Sequence, residues 1–297
     1  MVAAAPSVRR FARELGVEIG VVPGTGPGGR ISVDDVKAYV KGITTGARPA
    51  TGASAVALPD FSKWGAVERQ PMRAVRRKTA EHLAHAWFTI PAVTQHDKAD
   101  ITQLEDLRKQ YAKRAEAAGG KLTVTAIALK VVSAALKVFP QFGASLDMAR
   151  QEIIYKKYCH IGVAVDTDRG LLVPVIRDVD RKNIIELSVE LNQAAERARA
   201  KKLTQDEMEG GVFTITNLGG IGGTYFSPIV NAPEGAILGI SRGALEPVYR
   251  NGQFEPRLML PVSLSYDHRL IDGADAARFV RWVAEALEQP FLLALQG

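Results

Sequence analysis

Apolar positions near the start of the chain recur at helical spacing. Val8, Phe11, Ala12 and Leu15 share one face, with Ser7 positioned as N-cap and Gly16 as the stop. A second stripe, Val33, Val36 and Val40, follows Ser32-Val33-Asp34-Asp35, where a hydroxyl cap precedes an acid by three residues. Residues 43–58 lose this pattern: Ala, Thr, Gly and Ser dominate, little can be buried, and the stretch reads as a flexible linker. Beyond it two periods alternate. Three-to-four spacing predicts helices near 73–88, 101–118, 123–139, 183–202 and 274–288. Alternation and β-branched runs predict strands near 92–99, 153–166, 171–176, 212–216, 236–240 and 257–265. The organisation is a two-helix unit over 5–42, a linker over 43–58 and an α/β domain over 59–297.

Composition narrows this picture. The 297 residues are 46% hydrophobic and 24% charged, the balance of a globular protein. No apolar run approaches the roughly 18 residues of a membrane span, and the Ala-rich start lacks the order of a signal peptide. The single cysteine, Cys159, excludes an internal disulfide and lies in an apolar run that suits a packed, inert thiol. The net charge of +6 and pI of about 9.4 admit an anionic ligand or acidic partner. No zinc-finger spacing, RNA-binding signature or Lys/Arg block supports nucleic acid.

Candidate chemistry concentrates near the C-terminus. Leu258, Leu260, Val262 and Leu264 alternate, so continued extension would bring Tyr266 and His268 onto the same buried face. A partly desolvated imidazole there would favour the neutral form that a general base needs. Asp272-Gly273-Ala274-Asp275 reads as a helix start with Asp272 as cap. Geometry leaves two readings open: a catalytic base, or a structural histidine beside a cap, the commoner fate of a lone histidine. In 213–220, FTITNLGG, a strand ends in hydroxyl and amide side chains before a glycine turn; it could donate to a ligand oxygen or simply terminate the strand. Gly24 to Gly29 match GxGxxG, but the flanking strands of a dinucleotide site are missing, so the motif reads as a tight turn between helices. Asp97-Lys98-Ala99 has the tripeptide of lipoyl domains, yet its context is a strand leading into a helix, which argues against lipoylation.

Longer segments carry a resemblance. PSVRRFARELG and GTGPGGRI resemble a peripheral-subunit-binding domain. IPAVTQHDKADITQLE, HIGVAVDTDRGLLVPVIRDVD, FTITNLGGIGGTYFSPIVNAPEGAILGIS and LPVSLSYDHRLIDGADAARF resemble, in order, the catalytic domain of the dihydrolipoyl acyltransferases, core components of 2-oxo acid dehydrogenase complexes. DHRLIDG matches that family's active-site signature, and LPDFSKWG with NAPEGAILGIS is most similar to the bacterial, pyruvate-type, acetyl-transferring branch.

The resemblance implies a chloramphenicol-acetyltransferase-like catalytic domain, a mixed sheet with flanking helices, behind a small two-helix peripheral-subunit-binding domain. It implies acetyl transfer from acetyl-dihydrolipoyllysine to coenzyme A, with His268 as base, Thr216 as oxyanion donor and Asp272 orienting the loop. It implies trimers with each site at a subunit boundary, a cytoplasmic setting, and no metal. Arg108 and Lys130 match positions for coenzyme A phosphates. Arg9 and Arg30 match basic contacts to the decarboxylase and lipoamide dehydrogenase components. The lipoyl group would ride on a lipoyl domain that does not precede Pro6, which suggests a truncated chain or lipoyl domains supplied elsewhere. Thr216 stands where many acetyl-transferring relatives have Ser, and Pro27 where some have a basic residue. Succinyl or branched-chain transfer, a non-catalytic docking scaffold and a free-standing chloramphenicol-type acetyltransferase are the alternatives. The intact His268, Asp272 and Thr216 set opposes the scaffold, and the small N-terminal unit opposes the free-standing enzyme.

Overall fold

The computed structural model describes residues 3–44, 58–168 and 170–292. The chain divides into two compact units, residues 1–69 and 70–297. Most of the expected linker lies outside the described residues, although its first two positions, Ile43 and Thr44, belong to a helix.

The small unit holds α1 (Pro6–Glu14) and α2 (Val33–Thr44) around Val8, Ala12, Val22, Ile31 and Val36. Helix α1 starts one residue earlier than Ser7 predicts: Ala5 is the N-cap and Pro6 opens the helix, a position where its missing N–H costs nothing. Gly16 stops α1 with φ of 68°. The glycine-rich motif is a turn between the helices, with Gly28 and Gly29 at positive φ. Asp35 ties this turn to α2. Its carboxylate accepts the Ser32 N–H at 2.8 Å, the Ser32 hydroxyl at 2.9 Å and the Thr25 hydroxyl at 2.7 Å. These bonds, the Ser32 amide foremost, hold its pKa at about 2 against an ordinary 3.8. Because the folded value is depressed, the stabilisation is complete above about pH 3.8 and vanishes as pH falls through about 2. Hydrogen-exchange protection of α1 and α2 in the whole chain should therefore decline over that interval. Asp35→Asn should show lower protection and no dependence there; an unchanged profile would refute the linkage.

The larger unit contains α3 (Ala74–Thr89), β1 (Ala92–Asp100), α4 (Thr102–Ala117), α5 (Val124–Val138), β2 (Ser145–Asp147), β3 (Glu152–Ile154), β4 (Ile161–Val163), β5 (Val165–Thr167), β6 (Gly170–Leu172), β7 (Val175–Ile176), α6 (Ile184–Arg199), β8 (Phe213–Asn217), β9 (Ala236–Ile240), β10 (Ala244–Arg250), β11 (Gln253–Asp267) and α7 (Gly273–Glu288). The main sheet runs β1-β11-β9-β8-β4-β7, with β10 also paired to β11. It is mixed: β4, β8 and β9 are mutually parallel, and the other pairings are antiparallel. β2–β3 and β5–β6 form separate two-stranded ladders.

Alternation along β11 sorts its two faces. Leu260, Val262, Leu264 and Tyr266 enter the core with Phe213, Ile215, Leu238 and Ile240, against α5 and α7. Phe279 of α7 stacks on Phe142 at 4.1 Å, with Phe139 and Phe213 around the pair. Helix α5 is apolar on nearly every side and is buried accordingly. The other face of the sheet is polar: the Ser263 hydroxyl bonds His96 at 2.9 Å and the Ser265 hydroxyl bonds Thr94 at 2.8 Å.

Three features depart from the sequence expectation. The run 153–166 is three short strands rather than one: Lys156 and Lys157 interrupt its apolar content before β4, and a second break falls at Ala164. The run 171–176 is divided between β6 and β7, with Val173 and Pro174 between them. Strand β10 was not expected. It returns β11 through Asn251-Gly252, both at positive φ, the chemistry of a two-residue hairpin. Pro247 weakened its strand signal, and Pro is tolerated because β10 is an edge.

Candidate active site

His268 follows the last residue of β11, but the strand does not continue. The Asp267 carbonyl accepts the N–H groups of Leu270 and Ile271, each at 3.0 Å, and the Asp267 carboxylate takes the Arg269 N–H at 3.0 Å. The chain therefore turns, and His268 is exposed while Tyr266 is buried. This corrects the expected desolvated imidazole: alternation stops where the turn begins. His268 is nevertheless held at its root. Its N–H donates to the Pro91 carbonyl at 3.2 Å, and the Asp267 N–H donates to the Gly235 carbonyl at 2.9 Å. The Arg269 guanidinium grips the buried Asp267 carboxylate at 2.6 and 2.9 Å, a charge-assisted pair that fixes the turn.

Asp272 takes the N-cap position of α7 with extended backbone, but its side chain makes no capping hydrogen bond. Its exposed carboxylate lies by the helix's positive end and close enough to the Tyr266 phenol to raise that group's pKa, second to burial.

Thr216 lies on β8 and is buried at 8% exposure. Its register partner on β9 is Gly239, whose partner on β11 is Ser263. His268 is five residues beyond Ser263. At about 3.3 Å per residue and 4.8 Å per strand, Thr216 and His268 of one chain stand about 19 Å apart. A single subunit does not bring them together.

Two clefts flank the turn after β8. One, about 440 Å³, is bordered by Arg108, Thr123, Asn217, Gly219, Ser241 and Arg242. The other, about 390 Å³, is bordered by Lys121, Thr125, Asp166, Arg199, Asn217 and Gly220. Asn217 braces both, donating to Thr125 at 2.8 Å and accepting the Gly219 N–H at 2.7 Å. Arg108 borders the first cleft but forks onto Glu105 at 2.7 and 2.8 Å and onto the Leu122 carbonyl at 3.0 Å. Lys130 borders neither: its ammonium donates to the Asp180 carbonyl at 2.9 Å, and burial lowers its pKa. Ser241 was missed from sequence. Its buried hydroxyl is the only such side-chain atom among the described residues without a hydrogen-bond partner, and it borders the first cleft. No sequence pattern distinguishes it.

The false leads resolve structurally. Lys98 lies within β1 and pairs with Glu246 at 2.8 Å. Burial pushes the Cys159 thiol up to about 12, which suits a packed, unreactive side chain.

A mixed sheet backed by helices carries His268 on the turn leaving one strand and Thr216 on another, and comparison with known proteins assigns this framework to a class, the acyltransferases. Residues 65–295 match the family model for 2-oxoacid dehydrogenases acyltransferase (catalytic domain), and residues 2–37 match the E3 binding domain. The chain belongs to the 2-oxoacid dehydrogenase acyltransferase family. It is 50% identical to the dihydrolipoyllysine-residue acetyltransferase component of the pyruvate dehydrogenase complex of Cupriavidus necator, over 96% of this chain and 53% of that protein. For the Azotobacter vinelandii component the identity is also 50%, over 96% of this chain and 46% of the relative. The chain thus spans about half the length of these curated relatives. The crystal structure of A. vinelandii dihydrolipoamide acetyltransferase superposes with TM-score 0.79 and 48% identity, covering 81% of this chain and 99% of that one. That structure addressed the role of a serine, a histidine and an asparagine in catalysis, separated by 52 and 4 residues. Thr216, His268 and Asp272 are separated by the same two intervals.

Proposed function

We propose that the chain transfers an acetyl group from acetyl-dihydrolipoyllysine to coenzyme A, as part of the oligomeric core of a pyruvate dehydrogenase complex. The observation that carries this reading is the identity of half the residues with acetyltransferase components, together with the shared spacing of Thr216, His268 and Asp272.

The coenzyme A thiol, with an ordinary pKa of about 8.5, is mostly protonated near neutrality. His268 removes its proton, and the thiolate attacks the acetyl thioester carbon. Negative charge moves to the carbonyl oxygen, where the Thr216 hydroxyl donates a hydrogen bond. Collapse of the tetrahedral adduct breaks the bond to the lipoyl sulfur, which takes the proton back from the imidazolium. Atoms balance without a covalent enzyme intermediate. Asp272, four residues after His268 and at the start of α7, steadies the turn.

The separation of about 19 Å within one chain, built from strand spacings, supports a site in which His268 of one subunit meets Thr216 of the next, as in a trimer with boundary sites. Water leaves the exposed His268 when the neighbour covers it, and desolvation of the base then occurs on assembly. The first cleft suits the coenzyme A arm, with the Ser241 hydroxyl free for a polar group and Arg108 and Arg242 at its rim. Lys130 is engaged with a backbone carbonyl, so its proposed phosphate contact has the weaker support.

In the small unit, Arg30 is exposed and Arg9 is partly buried, with its Nε donating to the Ala4 carbonyl at 3.2 Å. Both fit contacts to acidic surfaces on the decarboxylase or lipoamide dehydrogenase components, with lipoyl domains delivering substrate and the cytoplasm as the setting. No helix among the described residues is long and apolar enough to cross a membrane.

The test is to supply the assembled protein with coenzyme A and acetyl-, succinyl- or isobutyryl-dihydrolipoamide and follow acyl-coenzyme A formation. Acetyl transfer should be fastest. A succinyl or branched-chain preference would overturn the acetyl assignment.

A further inference from the structure

Glu234 is a buried carboxyl that the transfer chemistry leaves unused. It is 5% exposed, in the turn 231–235 between the glycine-rich segment and β9. Its Oε2 accepts the Thr214 hydroxyl at 2.6 Å, and its Oε1 accepts the Asn231 amide at 3.2 Å. Asn231 Oδ1 in turn bonds His82 Nε2 of α3 at 3.0 Å. From another side, Lys156 donates to the Ser145 hydroxyl at 2.6 Å, and that hydroxyl donates to the Pro233 carbonyl. Three regions of the fold thus converge on one turn. Burial pushes the Glu234 carboxyl up to about 7, against the pull of Thr214, Asn231 and Lys156.

The turn has contacts with both halves of the proposed chemistry. The Gly235 carbonyl receives the N–H of Asp267, the residue before His268. Thr214 lies two residues before Thr216 and on the same face of β8. Packing leaves no slack. A Cβ at Gly235 would lie 2.9 Å from the Ala144 carbonyl oxygen and 3.0 Å from a Leu270 methyl. At Gly211 it would lie 2.7 Å from Glu234 Oε1.

We propose that Glu234 is a positioning residue for acetyl transfer, holding the Thr216 strand and the root of the His268 turn at a fixed separation through Thr214, Asn231 and Gly235. This inference rests on the proposed function. One chain's Thr216 and His268 serve two neighbouring sites around the ring, so the separation within a subunit sets the alignment of both sites.

Glu234→Gln preserves shape but reverses or breaks one bond: an amide N–H facing Thr214 must donate to its hydroxyl oxygen instead of the carboxyl accepting from it, and one facing the Asn231 amide meets a donor. Thr214→Val removes the other end of the link and leaves the carboxyl in place. Assembly is measured by sedimentation, stability by calorimetry, and kcat and KM with acetyl-dihydrolipoamide and coenzyme A. Each variant is expected to lose about 10–100-fold in kcat per assembled subunit, with KM for coenzyme A unchanged, the size of effect that small misplacements cause. Parental kcat in either assembled variant overturns the proposal. So does failure of both variants to assemble, since Glu234 would then be a folding element. A parent protein that forms no acetyl-coenzyme A overturns the proposed function and this inference with it. A competent parent alongside a competent Glu234→Gln overturns this inference alone.

Discussion

His268→Ala should lower acetyl-coenzyme A formation about 10²–10⁴-fold, the ordinary contribution of a positioned general base. The loss should be largest at neutral pH and shrink at alkaline pH, because a thiol of pKa about 8.5 then ionises unaided. Folding should be unaffected. The imidazole is exposed, and the turn is held by backbone bonds to Pro91 and Gly235 and by the Asp267–Arg269 pair, none of which needs the ring. Sedimentation and calorimetry on the variant check this, and stopped assays across pH 6–10 check the rate. Equal rates for parent and variant would remove His268 from the mechanism and leave it as the structural histidine its surroundings first permit.

Thr216→Val should cost about 2.7–4 kcal/mol of transition-state stabilisation, a 10²–10³-fold loss in kcat, because it deletes one oxyanion donor and little else. Val is close in shape, so packing at this buried position changes little. Thr216→Ser keeps the hydroxyl and should retain most activity. The two inactive variants together give a sharper experiment. If His268 and Thr216 of one chain formed a site, a mixture of His268→Ala and Thr216→Val subunits would stay inactive. If the site spans a boundary, random reassembly in equal amounts pairs an intact His268 with an intact Thr216 at about a quarter of boundaries, whatever the ring size. Activity recovered on co-refolding, and absent when the assembled variants are merely mixed, is the expected result. No recovery would place both groups in one subunit's site, against the register of β8, β9 and β11.

The parts of this molecule that were legible in the chain are those with strong local periodicity. All five helices expected in the larger unit formed within about two residues at most ends, as did the strand 236–240. The inward face of β11 followed directly from Leu260, Val262 and Leu264. Failures fell where a local signal met a competing contact. β10 was hidden by Pro247, although Asn251-Gly252 marked its hairpin. Ser7 looked like a cap, yet Pro6 already opened the helix. Lys130, matched to a phosphate contact by resemblance, donates to the Asp180 carbonyl in the folded chain, a contact no local signal announces.

The same division runs through the candidate site. Residue order and spacing brought out Thr216, His268 and Asp272 as candidates through the family resemblance, because motifs are local and survive without coordinates. Exposure and distance are not local. That His268 lies outside the core depends on the Asp267 carbonyl closing a turn, and that Thr216 lies about 19 Å from it depends on which strands pair and in what register, at the usual strand spacings. The Glu234 cluster joins residues 82, 145, 156, 214, 231 and 234. No periodicity links such positions: long-range hydrogen bonds are set by packing of whole elements, and they exist only once the sheet and helices have closed around them.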